Sequence, residues 1–196
     1  MKKLSLVAVT ALITTIATAQ IQFGVKAGLN LSNLSLSPKS SEASFSFKPD
    51  FNAGGLVFIP ISEMLALQPE VMYSGQGAKV KSGSESGTYN FGYINIPVLL
   101  KYHHESGFFA ELGPQVGFNI SAKAKADGQS QDLKDEIKST DFSGVFGLGY
   151  LSSINLGIDA RYNLGFANIV KNSSDTKLKN GVIQVSVFYM FGGSKK

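Results

Sequence analysis

Few residues in this 196-residue sequence have the types and spacing that catalysis needs. Cysteine is absent, which excludes disulfides and thiolate chemistry, and the two histidines, His103 and His104, are adjacent in a short segment. Because adjacent strand residues point to opposite faces, these histidines are poorly placed to bind one metal ion. Gly147-Leu148-Gly149 lacks the strand–loop–helix context of a nucleotide-binding loop. The sequence therefore predicts no enzyme activity, no cofactor and no metal site.

Ion pairing is the chemistry that the sequence does predict. Three cations and three carboxylates fall on the polar face of alternating segments, each in the half of its segment nearest a short connection: Lys26, Glu70, Lys101, Glu111, Asp159 and Arg161. Buried ions must pair, because an unpaired ion in a low-dielectric site costs several kcal/mol. We expect one lumenal ion-pair cluster in which Lys101 lies between Glu70 and Glu111. A proton or ion path is the alternative, but equal numbers of opposite charges favour a structural role.

The sequence predicts eight strands, and these strands position the charges. Alternation of apolar and polar residues with period two recurs in segments 21–31, 47–60, 65–75, 89–102, 108–121, 141–150, 154–168 and 181–191. In the first segment Phe23 and Val25 share one face, and Lys26 lies on the other. Three prolines within the predicted strands remove ladder donors, so we expect bulges at Pro69, Pro97 and Pro114.

The first 19 residues have the features of a cleaved signal peptide. Lys2 and Lys3 precede an apolar run from Leu4 to Ile16, and Ala17-Thr18-Ala19 supplies small residues for cleavage before Gln20. A buried N-terminal helix is the alternative interpretation. Residues 20–196 would then form one domain, and that domain contains no apolar stretch of about 18 residues or more. If this domain sits in a membrane, it must do so as a closed barrel.

The predicted strands are joined by connections that alternate in length. Segments 32–46, 76–88, 122–140 and 169–180 are long and rich in Ser, Lys, Asp and Gly, whereas 61–64, 103–107 and 151–153 are short. We expect the long segments to be solvated loops without a single conformation. Transmembrane barrels have short periplasmic turns and longer external loops, so both termini are expected in the periplasm.

Aromatic residues on the apolar face fall into two bands. The first band lies near the short connections and the second about eight residues further along: Tyr102, Phe108, Tyr150, Tyr189 and Phe191 in the first, Tyr73 and Tyr162 in the second. Two such bands are typical of the aromatic girdles at the membrane interfaces. A soluble barrel, which would bury its apolar face inward, is the alternative and needs no banding.

Several segments together resemble the small outer-membrane β-barrel family often labelled porin family. The segments are FGVKAGLNLS (23–32), LQPEVMYSGQGAKV (67–80), INIPVLLKY (94–102), FFAELGPQVGF (108–118), GLGY (147–150) and DARYNLGF (159–166). The resemblance implies an all-β, eight-stranded antiparallel up-and-down transmembrane β-barrel in the bacterial outer membrane, without an agreed activity. The chain departs from the usual pattern because five residues follow Phe191, where outer-membrane proteins usually end at an aromatic residue.

These observations predict an integral outer-membrane protein with a side-chain-filled lumen and a structural or interaction role through its external loops. A narrow pore for ions or small solutes is the alternative. Charged residues make up only 16% of the chain, below the roughly 25% of soluble domains. The expected partners are outer-membrane lipid and an unknown extracellular molecule, and the barrel is expected to be monomeric. Nucleic acid is not expected, because no Lys/Arg cluster has interleaved aromatics.

Overall fold

A computed structural model describes residues 21–37, 44–82, 85–126, 129–171 and 177–191. In this part of the chain there are ten strands: β1 (Gln22–Ser37), β2 (Ser44–Ser46), β3 (Lys48–Pro60), β4 (Leu65–Ser82), β5 (Glu85–His103), β6 (Phe108–Ala126), β7 (Gln129–Asp132), β8 (Thr140–Leu151), β9 (Leu156–Gly165) and β10 (Lys177–Phe191). The predicted signal peptide and the tail after Phe191 lie outside the described residues.

Eight of the strands in the described part form a closed antiparallel ring. Each strand of the order β1-β3-β4-β5-β6-β8-β9-β10 pairs with the next, and β10 pairs with β1 from Phe23 opposite Phe191 to Ser37 opposite Lys177. The short strands β2 and β7 pair with the ends of β4 and β6. Because neighbours in the ring are also successive along the chain, this is an up-and-down barrel. The predicted fold class is confirmed.

The period-two pattern determines which side chains line the barrel. Along β9 the exposed residues Leu156, Ile158 and Tyr162 alternate with the buried residues Asp159 and Arg161. A one-residue shift in pairing would turn the whole polar set outward, so the pattern also fixes the register. An apolar outer surface around a polar interior is the arrangement of transmembrane barrels, and it is the reverse of a soluble barrel.

The prolines do not produce the bulges that the sequence analysis predicts. Pro69 pairs with Val98 and Pro114 with Gly144, in ladders whose register continues unchanged on both sides. The shift in the β5–β6 ladder lies instead between Gly92 and Tyr93. A proline removes only its own N–H donor, so the loss stays local and the neighbouring backbone bonds hold the register.

The long connections are shorter and more ordered than predicted. β4 ends at Ser82 and β5 begins at Glu85, so most of segment 76–88 is a hairpin, and β6 continues to Ala126. Expecting solvated loops without a single conformation was wrong for these parts, because inward residues such as Ala78 and Ala122 are fully buried there. The parts of the predicted loops at 38–43, 83–84, 127–128 and 172–176 lie outside the described residues.

Candidate functional site

The six predicted charges meet inside the barrel. Lys26 lies on β1, Glu70 on β4, Lys101 on β5 and Glu111 on β6, and β9 carries both Asp159 and Arg161. All six are buried, with at most 4% of each residue exposed. Strands from all sides of the ring contribute, so the cluster spans the lumen. We call these six residues the ion layer.

Arg161 lies at the centre of the ion layer. Its Nη1 and Nη2 donate to Oε2 and Oε1 of Glu70, each at 2.7 Å, and its Nε donates to Glu111 Oε1. Asp159 Oδ1 is 3.6 Å from the same Nε. Because β4 and β9 are not neighbours in the ring, the paired contact with Glu70 crosses the lumen. A planar guanidinium suits this two-point recognition of a carboxylate.

The two lysines bind the remaining carboxylate oxygens. Lys26 Nζ lies 2.6 Å from Asp159 Oδ2 and 3.2 Å from Glu70 Oε1, and Lys101 Nζ lies 3.4 Å from Glu111 Oε2. Arg161, and not Lys101 as expected, therefore lies between Glu70 and Glu111. Lys101 faces Glu111 across the β5–β6 ladder, and its ammonium lies over the ring of Phe109, which is two residues from Glu111 on β6.

One polar residue of this region was missed at the sequence level. Gln68 lies two positions before Glu70 on the same face of β4, and its Nε2 donates to Glu70 Oε1 at 2.6 Å. Glu70 thus accepts from Lys26, Arg161 and Gln68 together. The spacing of two residues between Gln68 and Glu70 could have indicated this contact, because residues two apart on a strand share a face.

An apolar layer lies in the lumen between the ion layer and the short-turn rim. It consists of Leu56, Phe109, Phe188 and Met190, with Phe58 and Leu151 packed against them. Lys101 Nζ lies 3.7 Å from the centre of the Phe109 ring and 5.1 Å from that of Phe188, within range of cation–π attraction. The cavity left beside these rings measures about 20 Å³, enough for about one water molecule. The sequence could have predicted that Phe188 and Met190 point inward, because they alternate with Tyr189, which points outward.

A layer of amides and hydroxyls lies on the other side of the ion layer. Asn30 Nδ2 donates to Ser74 Oγ at 2.9 Å and to the Gly75 carbonyl at 2.8 Å. Asn52 Nδ2 donates to Asn30 Oδ1 at 2.9 Å, and Ser186 Oγ donates to Asn52 Oδ1 at 3.2 Å. Neutral donors and acceptors bond to one another at this level, and the Lys48–Asp50 ion pair lies beside them, with Asp50 opposite Asn30 in the β1–β3 ladder.

Two connections pack over the inward side chains at the opposite rim. Leu133, Ile137 and Ile169 pack against inward residues of the strands, forming an apolar cluster: Leu34, Ala78, Phe91, Tyr93 and Ala122. Backbone bonds hold them in place, from Leu133 N to Ala122 O at 2.8 Å and from Lys138 N to Ile169 O at 2.7 Å. We call segments 133–138 and 169–171 the lid. In the described part of the chain, inward side chains thus form four successive layers along the barrel.

The predicted girdle residues lie on the outer surface of the barrel. All but Tyr73, which is half-buried, are exposed: Tyr102, Phe108, Tyr150, Tyr162, Tyr189 and Phe191. Near the short-turn rim the rings of Phe108 and Tyr150 pack at 5.1 Å and those of Tyr189 and Phe191 at 5.4 Å. Their placement fits a membrane interface, a role taken up below.

The two histidines have separate surroundings. The His103 ring packs edge-on against Phe58 at 4.9 Å, whereas His104 Nδ1 faces Ser106 Oγ at 2.7 Å. Among the described residues, no three His, Cys, Asp or Glu side chains are grouped so as to hold a metal ion. In that same part of the chain, no helix has the length and hydropathy to cross a membrane.

A closed eight-stranded ring with an apolar exterior and a polar interior defines a small transmembrane β-barrel. The chain belongs to the outer membrane protein beta-barrel domain family, which matches residues 17–171. Membership of this family places the protein in the bacterial outer membrane.

Solved structures are similar in fold. Neisserial surface protein A is 18% identical with a TM-score of 0.57, and the match covers 86% of this chain and 97% of that one. OprG from Pseudomonas aeruginosa is 14% identical with a TM-score of 0.50, and the match covers 88% of this chain and 96% of OprG. A comparison with curated proteins finds no match. At these identities the similarity shows the fold alone.

Proposed function

We propose that this protein is an outer-membrane anchor with a closed lumen, which acts through the rim that carries its long connections. The filling of the lumen by four successive layers carries this proposal. A pore would need the Arg161–Glu70 contact to open and both apolar layers to part. Separating this ion pair and exposing both apolar layers to water would cost free energy, so the closed lumen is the favoured state.

The outer surface supports the membrane orientation of this anchor. Exposed aromatic rings near the short-turn rim would form the periplasmic girdle, and Tyr73 and Tyr162 would lie towards the external interface. The short turns then face the periplasm and the lid faces the exterior. Because the closed ring leaves no long unpaired edge, the proposal treats the barrel as a monomer.

Osmotic swelling of proteoliposomes tests the closed lumen against the alternative of a narrow pore. The mature chain is refolded into vesicles and diluted into isotonic solutions of a pentose, a hexose or glycine, with a general porin at equal density as the positive control. The proposal predicts swelling rates equal to those of protein-free vesicles. Swelling that falls with increasing solute size would contradict the closed lumen and make solute passage the function.

A further inference from the structure

Three pairs of lysines lie near the external ends of three strands, and one residue separates the two lysines of each pair. They are Lys79 and Lys81 on β4, Lys123 and Lys125 on β6, and Lys177 and Lys179 on β10. On a strand, residues two apart share a face, and the residue between them faces the other way. The closed lumen makes no use of these six lysines, which we call the lysine collar.

The lysine collar faces away from the lumen. The intervening residues Ala124 and Leu178 pack inward against the apolar cluster beneath the lid. Five of the lysines are exposed and Lys179 is half-buried. In the described part of the chain, none of the six ammonium groups lies within 4.0 Å of a carboxylate. Asp132, opposite Lys123 in the β6–β7 ladder, is the nearest acidic neighbour by register.

The lysine collar begins where the apolar outer surface ends. Exposed Ile120 and Ile183 are the last large apolar residues of β6 and β10 before Lys123 and Lys179. Tilted strands climb about 2.5 Å per residue, so three or four residues raise the lysines by about 8–10 Å. Flexible lysine stems cover such a distance and place their ammonium groups at headgroup level.

Hydroxyl and amide groups accompany the lysines in two open hollows of the outer surface. Lys79, Lys81 and Lys125 share a hollow of about 510 Å³ with three hydroxyl residues, Ser46, Ser86 and Thr88. Lys179 lines a second hollow of about 360 Å³ together with Asn33, Ser35, Tyr162 and Phe166. Ammonium and hydroxyl donors suit phosphate oxygens, and aromatic walls suit the glycolipid to which the phosphates are attached.

We propose that the lysine collar binds the phosphate groups of phosphorylated glycolipid in the outer leaflet. Position selects this occupant over a soluble polyanion, because the lysines continue the apolar membrane-facing surface. Distribution supports it too, since β10 lies three strands away from both β4 and β6 in the ring, so the lysines are spread around the rim. The proposal needs the external orientation of this rim but not the closed lumen, so the swelling assay and the lipid assay can fail independently.

The test measures lipid binding by native mass spectrometry of the folded protein in an uncharged detergent. The probes are bisphosphorylated lipid A and the same lipid with both phosphates removed, with inorganic phosphate and polyphosphate as soluble competitors. One variant combines Lys81→Gln, Lys125→Gln and Lys177→Gln. The control combines Lys134→Gln, Lys138→Gln and Lys171→Gln, which removes the same charge from the lid.

A lysine near an anionic surface contributes about fivefold to affinity, so the collar variant should bind the phosphorylated lipid about a hundredfold more weakly. Wild type, the lid control and a Lys→Arg variant at the three collar positions should bind it alike, and added salt should weaken binding. Equal binding by the collar variant, equal loss in the lid control, or no preference for the phosphorylated lipid would overturn the proposal. Displacement of the lipid by polyphosphate at equal phosphate concentration would also overturn it, in favour of a soluble polyanion.

Discussion

Replacing Arg161 by methionine should destabilise the barrel more than any surface substitution. The variant loses two hydrogen bonds of 2.7 Å to Glu70 and the contact with Glu111. Lys26 and Lys101 then remain for three carboxylates, so one buried negative charge is uncompensated. Breaking a buried ion pair in this way costs about 3–5 kcal/mol, and we expect an unfolding free energy lower by that amount.

The assay is reversible urea unfolding of the barrel in lipid vesicles, followed by far-ultraviolet circular dichroism because the sequence contains no tryptophan. Lys134→Met on the exposed lid surface is the matched control, with an expected change within about 0.5 kcal/mol. Adding Glu111→Gln to Arg161→Met restores charge balance, so the double variant should be more stable than the sum of the single effects predicts, by at least about 1 kcal/mol.

Two results would refute this reasoning. A loss below about 1 kcal/mol for Arg161→Met would show that water or a shifted lysine compensates the carboxylates, and that the ion layer does not depend on the guanidinium. Strict additivity with Glu111→Gln would show that the two residues do not interact in the folded barrel.

Three further predictions concern packing, the lid and export. A Cβ added at Gly147 would lie 2.9 Å from Cγ of Arg161. Gly147→Ala should therefore lower the unfolding free energy by about 1–3 kcal/mol in the same urea assay. An unchanged unfolding midpoint would contradict tight packing at this position. Ile137→Asp places a charge in the apolar cluster and should loosen the lid, so that trypsin cleaves after Lys138 at least about tenfold faster. An unchanged cleavage rate would show that this contact does not hold the lid. Mass spectrometry of the exported chain should find Gln20 at its N-terminus, and an intact leader would contradict the signal peptide.

The strand pattern could be read from the sequence because side-chain direction alternates strictly along a strand. That rule places Asp159 and Arg161 on one face and Tyr162 on the other, and the aromatic bands indicated that the face with Tyr162 is the outer one. It also explains why the six charges are found together, since all lie on the inward face near the same ends of their strands. The facing pair Lys101 and Glu111 follows from neighbouring strands and needs no knowledge of the closed ring.

Contacts across the lumen could not be predicted in this way. Arg161 reaches Glu70 from a strand that is not its neighbour, and only the stagger of the closed ring brings the two together. The outer ends of β4, β6 and β10 were missed because composition was given more weight than alternation. Segments rich in Ser and Lys suggested loops, although the pairs of lysines with one residue between them carried the strand period.

Single-channel recording of the refolded mature protein in a planar bilayer tests the closed lumen most directly. Wild type, Lys101→Ala and Arg161→Ala should all be silent at moderate voltage, because both apolar layers remain when the ion layer is weakened. Flotation of the proteoliposomes used for fusion confirms that the protein is inserted. Steady wild-type openings, with a conductance that changes on substitution of Lys101 or Arg161, would contradict the account and show a conducting path through the ion layer.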